Sequence, residues 1–181
     1  MPTPPNAVVT QRIEVSSGLI ILHVAPDGWE LPPFQAGQFA VLGLPASAPR
    51  CELADPEPAS DGDPGRLIKR AYSISSAPSG RPGLEFYITL VYSGALTPRL
   101  FALRPGDRLW LGPKISGLFT LERLHEDRDL LMLATGTGLA PYMSMLRTRL
   151  MRDRHRRFTV VHGARHSWDL GYRSELTTLE D

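Results

Sequence analysis

One cysteine, Cys51, stands among 181 residues. The chain therefore cannot close an internal disulfide, ligate an iron-sulfur cluster or build a cysteine-rich zinc site. Any redox chemistry has to come from a different, non-covalent group. Long apolar runs are also missing. The longest, Leu19 to Ala25, is interrupted by His23 and falls far short of the ~18 residues that a membrane span requires. The opening MPTPPNAVVT lacks the basic-then-apolar pattern of a signal peptide. A soluble, cytoplasmic protein that engages no membrane is expected. No charge of one sign dominates: 20 Lys and Arg face 19 Asp and Glu, a net charge of +1. That balance argues against a globally basic nucleic-acid binder. His125, His162 and His166 have no partners at metal-ligand spacing, so no metal site is expected, and no Ser-His-Asp arrangement has local support.

Proline is abundant but unevenly placed. Of 17 prolines only Pro141 lies beyond Pro113, so the first part is punctuated at short intervals while the last third is free to run regular elements. In the first part, short β-type segments recur between turn signals: Ala7 to Val15, Leu19 to Ala25, Gln38 to Leu44, Arg70 to Ser75, Leu84 to Tyr92 and Asp107 to Leu111. In LEFYITLVY, Leu84, Phe86, Ile88 and Leu90 fall on one face and Glu85, Tyr87 and Thr89 on the other, the pattern of a half-buried antiparallel strand. Six such strands predict a small all-β barrel or sandwich, with Leu96 to Leu103 as a short bridging helix. Pro45 to Lys69 is proline-rich, acidic and aperiodic, which reads as a long mobile surface loop, either a lid or a solvated insertion.

Beyond Pro113 the pattern changes. Leu130 to Ala134 is a continuous apolar run, as for a parallel strand buried on both faces. The turn TGTGLAP follows, and then Leu139, Met143, Leu146 and Leu150 at the spacing of one helix face. Phe158 to Val161 is a second apolar run and Leu170 to Leu179 a second helical stretch. This β-loop-α-β-α order opens a doubly wound α/β unit, which ordinarily has about five or six parallel strands. Two are supplied here, so a fragment or truncated product is the expectation, with the apolar strand faces left uncovered and the solubility poor.

Three motifs can carry chemistry. Gly136, Thr137 and Gly138 lie between a strand and a helix, where glycines admit a close ligand and the helix start offers N-H groups to a pyrophosphate; a structural tight turn is the alternative. Ala164 and Arg165 follow the second strand, at a position where arginine suits the extra phosphate of NADP, or is simply a surface residue. The strand Arg70, Ala71, Tyr72, Ser73 makes sense around a flavin, with arginine for its pyrophosphate, tyrosine against the ring and a serine hydroxyl near the reactive nitrogen. Otherwise it is an ordinary edge strand. The six arginines from Arg147 to Arg157 read as a solvated helix end, or as a docking patch for an acidic redox protein.

Taken together and in order, RAYSIS, FYI, GALTPRLF, GPKISGLF, LATGTGLAPYMSML and VVHGAR resemble the bacterial ferredoxin/flavodoxin-NADP reductases from about Ala7 to Asp181. The resemblance implies a six-stranded antiparallel barrel binding FAD over residues 1-120, followed over 121-181 by the incomplete first part of an NADP-binding α/β domain. It also implies a flavoprotein oxidoreductase that passes electrons between NADP(H) and ferredoxin or flavodoxin. By the same resemblance, Arg70 would bind the FAD phosphates, Ala71 would sit beside the cofactor, Tyr72 would stack on the isoalloxazine and Ser73 would hydrogen-bond near flavin N5. Tyr72 and Ser73 are the catalytic candidates. Tyr87 would line the adenine or ribityl side, and Ala95, Leu96 and Thr97 would contact the pyrophosphate. Gly136, Thr137 and Gly138 would receive NADP near the flavin, and Ala164 and Arg165 would take its phosphorylated adenosine side. A non-catalytic FAD-binding module and the reductase component of an oxygenase or an NAD(P)H-flavin reductase share the same motifs.

Overall fold

A computed structural model describes residues 4-57, 63-79, 82-125, 128-149 and 156-179. Strands β1 (Ala7–Ser16) and β2 (Leu19–Pro26) form a hairpin around the two-residue turn Ser17-Gly18, pairing Ser16 with Leu19. β3 (Phe39–Pro45) pairs in full with β4 (Leu67–Ser73), and β5 (Leu84–Thr89) with β2. The short helix α1 (Thr97–Ala102) leads to β6 (Arg108–Leu111), which joins β1 to β3. The result is one antiparallel six-stranded sheet in the order β4-β3-β6-β1-β2-β5. Its two ends meet at a single bridge, Ile74 to Phe86. After it come β7 (Leu130–Thr135), α2 (Ala140–Arg149), β8 (Phe158–Gly163) and α3 (Arg173–Thr178). β7 and β8 pair in parallel as a separate two-stranded sheet.

Burial explains why β2 and β5 break the simple alternation. Ile20, Leu22 and Val24 of β2 and Leu84, Phe86 and Ile88 of β5 point into the first core with Leu42, Leu100 and Leu111. Their opposite faces, Leu19, Ile21 and Tyr87, belong to a second core with Met132, Leu139, Met143 and Leu146. β5 is thus covered on both sides, and the half-buried strand predicted from LEFYITLVY is corrected: Glu85 is buried where solvent was expected. The reason is tertiary, because α2 and the turn before α3 lie over that face.

The reverse correction applies to β7. Met132 and Ala134 are buried, but Leu131 and Leu133 are 64% and 62% exposed, so the strand is covered on one face only. Val161 of β8 extends the same bare stripe. The uncovered apolar faces expected from the sequence are therefore present. The proline-rich stretch after Pro45, expected as a mobile loop, is fastened down over its described part. Cys51 N donates to Pro98 O and Asp55 N to Tyr92 O. Arg50 donates to Gly94 O, Asp55 O and Tyr92 O. The buried Arg99 of α1 donates to Ala46 O and to both Glu57 oxygens. Residues 58-62 lie outside the described residues.

Candidate functional site

β4 is an end strand of the sheet, and beyond Ile74 it meets no further strand along Arg70 to Ser73 among the described residues. Arg70 and Ala71 are exposed, and Tyr72 and Ser73 half-buried. Tyr72 leans edge-on against Phe86, with ring centroids 6.5 Å apart and planes at 72°. Burial pushes its phenol up to about 12 against the opposing pull of Arg70, so the ring stays neutral. Arg70 uses one nitrogen on Lys69 O at 2.7 Å and keeps its guanidinium outside. An open strand edge with a neutral aromatic ring, a hydroxyl and an outward arginine fits a flat ligand that ends in phosphate.

The glycine turn sits where the two parallel strands end together, since Thr135 pairs with Gly163. Gly136 adopts φ +49, the left-handed region that favours glycine, and the chain winds as a single 3-10 turn over Gly136–Leu139 directly into α2. A Cβ placed on Gly136 or Gly138 would meet nothing within 4 Å, so the space over the turn is open to a ligand. Thr137 is half-buried beside it. His162, unassigned by the sequence reading, brings Nε2 within 3.0 Å of Gly136 O. Ala164 and Arg165 follow on the same side and are exposed. The geometry thus groups Gly136, Thr137, Gly138, Ala164 and Arg165 at the carboxyl ends of adjacent parallel strands, where α/β sheets bind ligands.

Other expected residues are employed inside the protein. Tyr87 is 3% exposed, its hydroxyl donating to Asp169 O at 3.3 Å and accepting from Gly171 N at 2.9 Å. It packs on Tyr172, not on an open face. The placement expected for Tyr87 beside a cofactor is therefore corrected: α3's approach covers it. Leu96 is buried in the first core, leaving only its backbone for a ligand, and Ala95 is half-buried. The Thr97 hydroxyl accepts from Val91 N and donates to Val91 O, holding the turn before α1. Of the basic run, Arg147 and Arg156 turn inward, Arg156 onto His125 O, while Arg157 points out and pairs with Asp129. Residues 150-155 lie outside the described residues. No group of three or more His, Cys, Asp or Glu among the described residues could hold a metal.

The sequence reading missed a buried polar cluster between the two sheets. Glu85 Oε1 accepts from Ser75 Oγ at 2.9 Å, Arg147 Nη1 at 2.7 Å and Tyr172 OH at 2.7 Å, and Oε2 lies 3.3 Å from His23 Nε2. Arg147 also grips Glu175 through Nε and Nη2, both at 2.6 Å. Burial alone would raise the Glu85 carboxyl. The Arg147 charge and the donated hydrogen bonds outweigh it and hold the group below the usual carboxylate range. Burial and the Glu85 charge push the Tyr172 phenol far up, so it remains a donor. One signal was legible, an acid one residue into an otherwise uncharged strand.

Residues 132-181 match the family model described as the oxidoreductase NAD-binding domain. The chain is 38% identical over 148 residues to the flavodoxin/ferredoxin-NADP reductase of Shigella flexneri, covering 82% of this chain and 52% of that protein. It is 35% identical over 144 residues to the ferredoxin-NADP reductase of Azotobacter vinelandii, covering 80% and 49%. The chain spans about half the length of the curated relatives it matches. Among solved structures, a ferredoxin NADP+ reductase of Neisseria gonorrhoeae with bound FAD and NADP superposes with a TM-score of 0.76 at 25% identity, over 96% of this chain and 62% of that one. Phthalate dioxygenase reductase, at 18% identity and a TM-score of 0.71, shares the fold over 95% of this chain and 47% of its own.

Proposed function

We propose that this chain, which resembles the bacterial ferredoxin/flavodoxin-NADP reductases over four fifths of its length, supplies the FAD-binding sheet and the leading part of the NADP-binding unit of such a reductase. Residues 1-120 form the first and 121-181 the second. The Ile74 to Phe86 bridge supports reading the sheet as a barrel. Electrons pass between NADP(H) and ferredoxin or flavodoxin, soluble acidic carriers of the cytoplasm, which the basic run Arg147 to Arg157 meets; among its described residues Arg157 points outward. The observation that carries the reading is the open β4 edge with Arg70, Tyr72 and Ser73, joined within one chain to an open glycine turn at the ends of paired parallel strands.

FAD, when bound, supplies a group stable in three redox states, able to exchange a hydride with NADP(H) and single electrons with a carrier. The protein's part is placement. Arg70 would hold the pyrophosphate together with the backbone of Ala95, Leu96 and Thr97, and Ala71 would contact the cofactor. Tyr72 would offer a neutral ring for stacking, and Ser73 would supply a hydroxyl to the flavin near its reactive nitrogen. Gly136 and Gly138 would leave room for the dinucleotide beside Thr137, and Ala164 with Arg165 would take its phosphorylated end. No side chain has to act as a strong base.

The test is an absorption spectrum of the purified chain, followed by NADPH under anaerobic conditions. Yellow protein that bleaches supports the reductase. Yellow protein that stays oxidised reduces it to an FAD-binding module, and colourless protein overturns both. Faster bleaching by NADH than by NADPH would favour the oxygenase-reductase reading, which the shared fold of phthalate dioxygenase reductase keeps in view.

A further inference from the structure

We propose that Glu85 is a positioning residue: its carboxylate fixes the glycine turn Gly136–Gly138 relative to the strand Arg70–Ser73 by gathering α2 and Tyr172 onto the segment that continues that strand. The inference rests on the functional reading above and deepens it.

The path between the two motifs is short and traceable. β4 ends at Ser73, and two residues later Ser75 N donates to Glu85 O at 2.8 Å. From the other side, the glycine turn runs without interruption into α2. One turn into α2, Ser144 Oγ donates to Ser76 O at 2.6 Å, and Arg147 Nη1 donates to Ser75 O at 2.9 Å. Glu85 completes the joint by accepting from Ser75, Arg147 and Tyr172 on one oxygen, with His23 at the other. Every part of the joint is buried or partly so, and Ser75 and Ser144 are fully buried.

A joint of this kind does more than adhere. An apolar contact between α2 and β5 would tolerate sliding and rotation, whereas a carboxylate with three directed donors and a guanidinium spread over Ser75 O, Glu85 and Glu175 fixes both. Buried ion pairs add little net stability over an apolar replacement, so their contribution lies in the specificity of one arrangement. Tyr172 is the single non-glycine residue at positive φ among those described, at φ 62, and its hydroxyl is bound to Glu85 and Ser75. Such a backbone persists where surrounding contacts determine it. Among the described residues, the titratable and charged groups that face Glu85 belong to the joint: His23 from β2, Arg147 from α2, Tyr172 before α3, and Glu175 beyond Arg147.

The experiment compares the full chain with Glu85→Gln, and with Arg147→Lys as the milder variant, by two readouts. In the FAD-loaded protein, the anaerobic rate of flavin bleaching at saturating NADPH should fall at least tenfold while FAD content and the NADPH concentration for half-maximal rate stay within twofold. An unchanged rate overturns the proposal. In the cofactor-free protein, amide hydrogen exchange over Leu139 to Met145 should quicken at least fivefold in the variants, with Ile20 to Val24 unchanged. Exchange unaltered in α2, or quickened equally in both segments, overturns it as well. Should the wild-type chain take up no FAD, the functional reading fails and the exchange measurement still decides whether Glu85 fixes the turn.

Discussion

At the scale of single residues, electrostatics and steric fit make separate demands. Glu85 is held below its ordinary pKa of 4.5 in the folded chain. A carboxyl depressed by folding contributes stability that is complete above the unfolded value and is lost as pH falls through the folded one. The thermal midpoint should therefore drop as pH falls below about 4.5, and Glu85→Gln should flatten that part of the profile. An identical acid limb in the variant would remove Glu85 as its source. Gly171 shows the steric case. A Cβ there would lie 2.3 Å from the Tyr87 hydroxyl, which is already committed to Gly171 N and Asp169 O. Gly171→Ala should cost about 1–3 kcal/mol in urea unfolding, the scale of overpacking in a filled core. Ser73 is exempt from both demands, being half-buried on an open edge. Ser73→Ala should slow flavin reduction in transient kinetics with FAD retained, and an unchanged rate would exclude its hydroxyl from the chemistry.

At the scale of elements, the strands were legible because turn signals bracket them, and their observed bounds fall within a few residues of the spacing-based ones. What sequence periodicity could not reveal was which faces are covered. β5 gained a second cover and β7 lacks one, and both facts depend on where α2 and α3 pack rather than on the strands themselves. The glycine turn was readable from its pattern and its position between strand and helix. The Glu85 joint was not, because its members come from five separated segments that share no local motif. The bare stripe on β7 and β8 carries a prediction: Leu131→Gln with Leu133→Gln should raise the concentration at which light scattering begins, without lowering the melting midpoint. Arg99 carries another. It fastens the stretch after Pro45 to α1 while 3% exposed, so Arg99→Met should cost about 2–4 kcal/mol by stranding buried carbonyls. Glu57→Gln, at a more exposed partner, should cost far less.

At the scale of the whole molecule, the second core takes Leu19, Ile21 and Tyr87 from the antiparallel sheet and Met132, Leu139, Met143 and Leu146 from the parallel part. Neither part can open its side of that core alone. Calorimetry should accordingly show one cooperative transition, and two separable transitions would contradict the shared core. The strand order has a further bearing on how the chain comes to exist. β6 is the piece that unites the β1-β2-β5 half of the sheet with the β3-β4 half, and it is made last of the six. Until the ribosome has released Leu111, the hairpin of β1 and β2 can form, but β3 and β1 have nothing between them to pair with. The nascent chain therefore carries the β1-β2-β5 and β3-β4 halves unjoined through the synthesis of roughly a hundred residues, at about 5–20 residues per second. On this strand order, completion of the sheet waits for one four-residue strand.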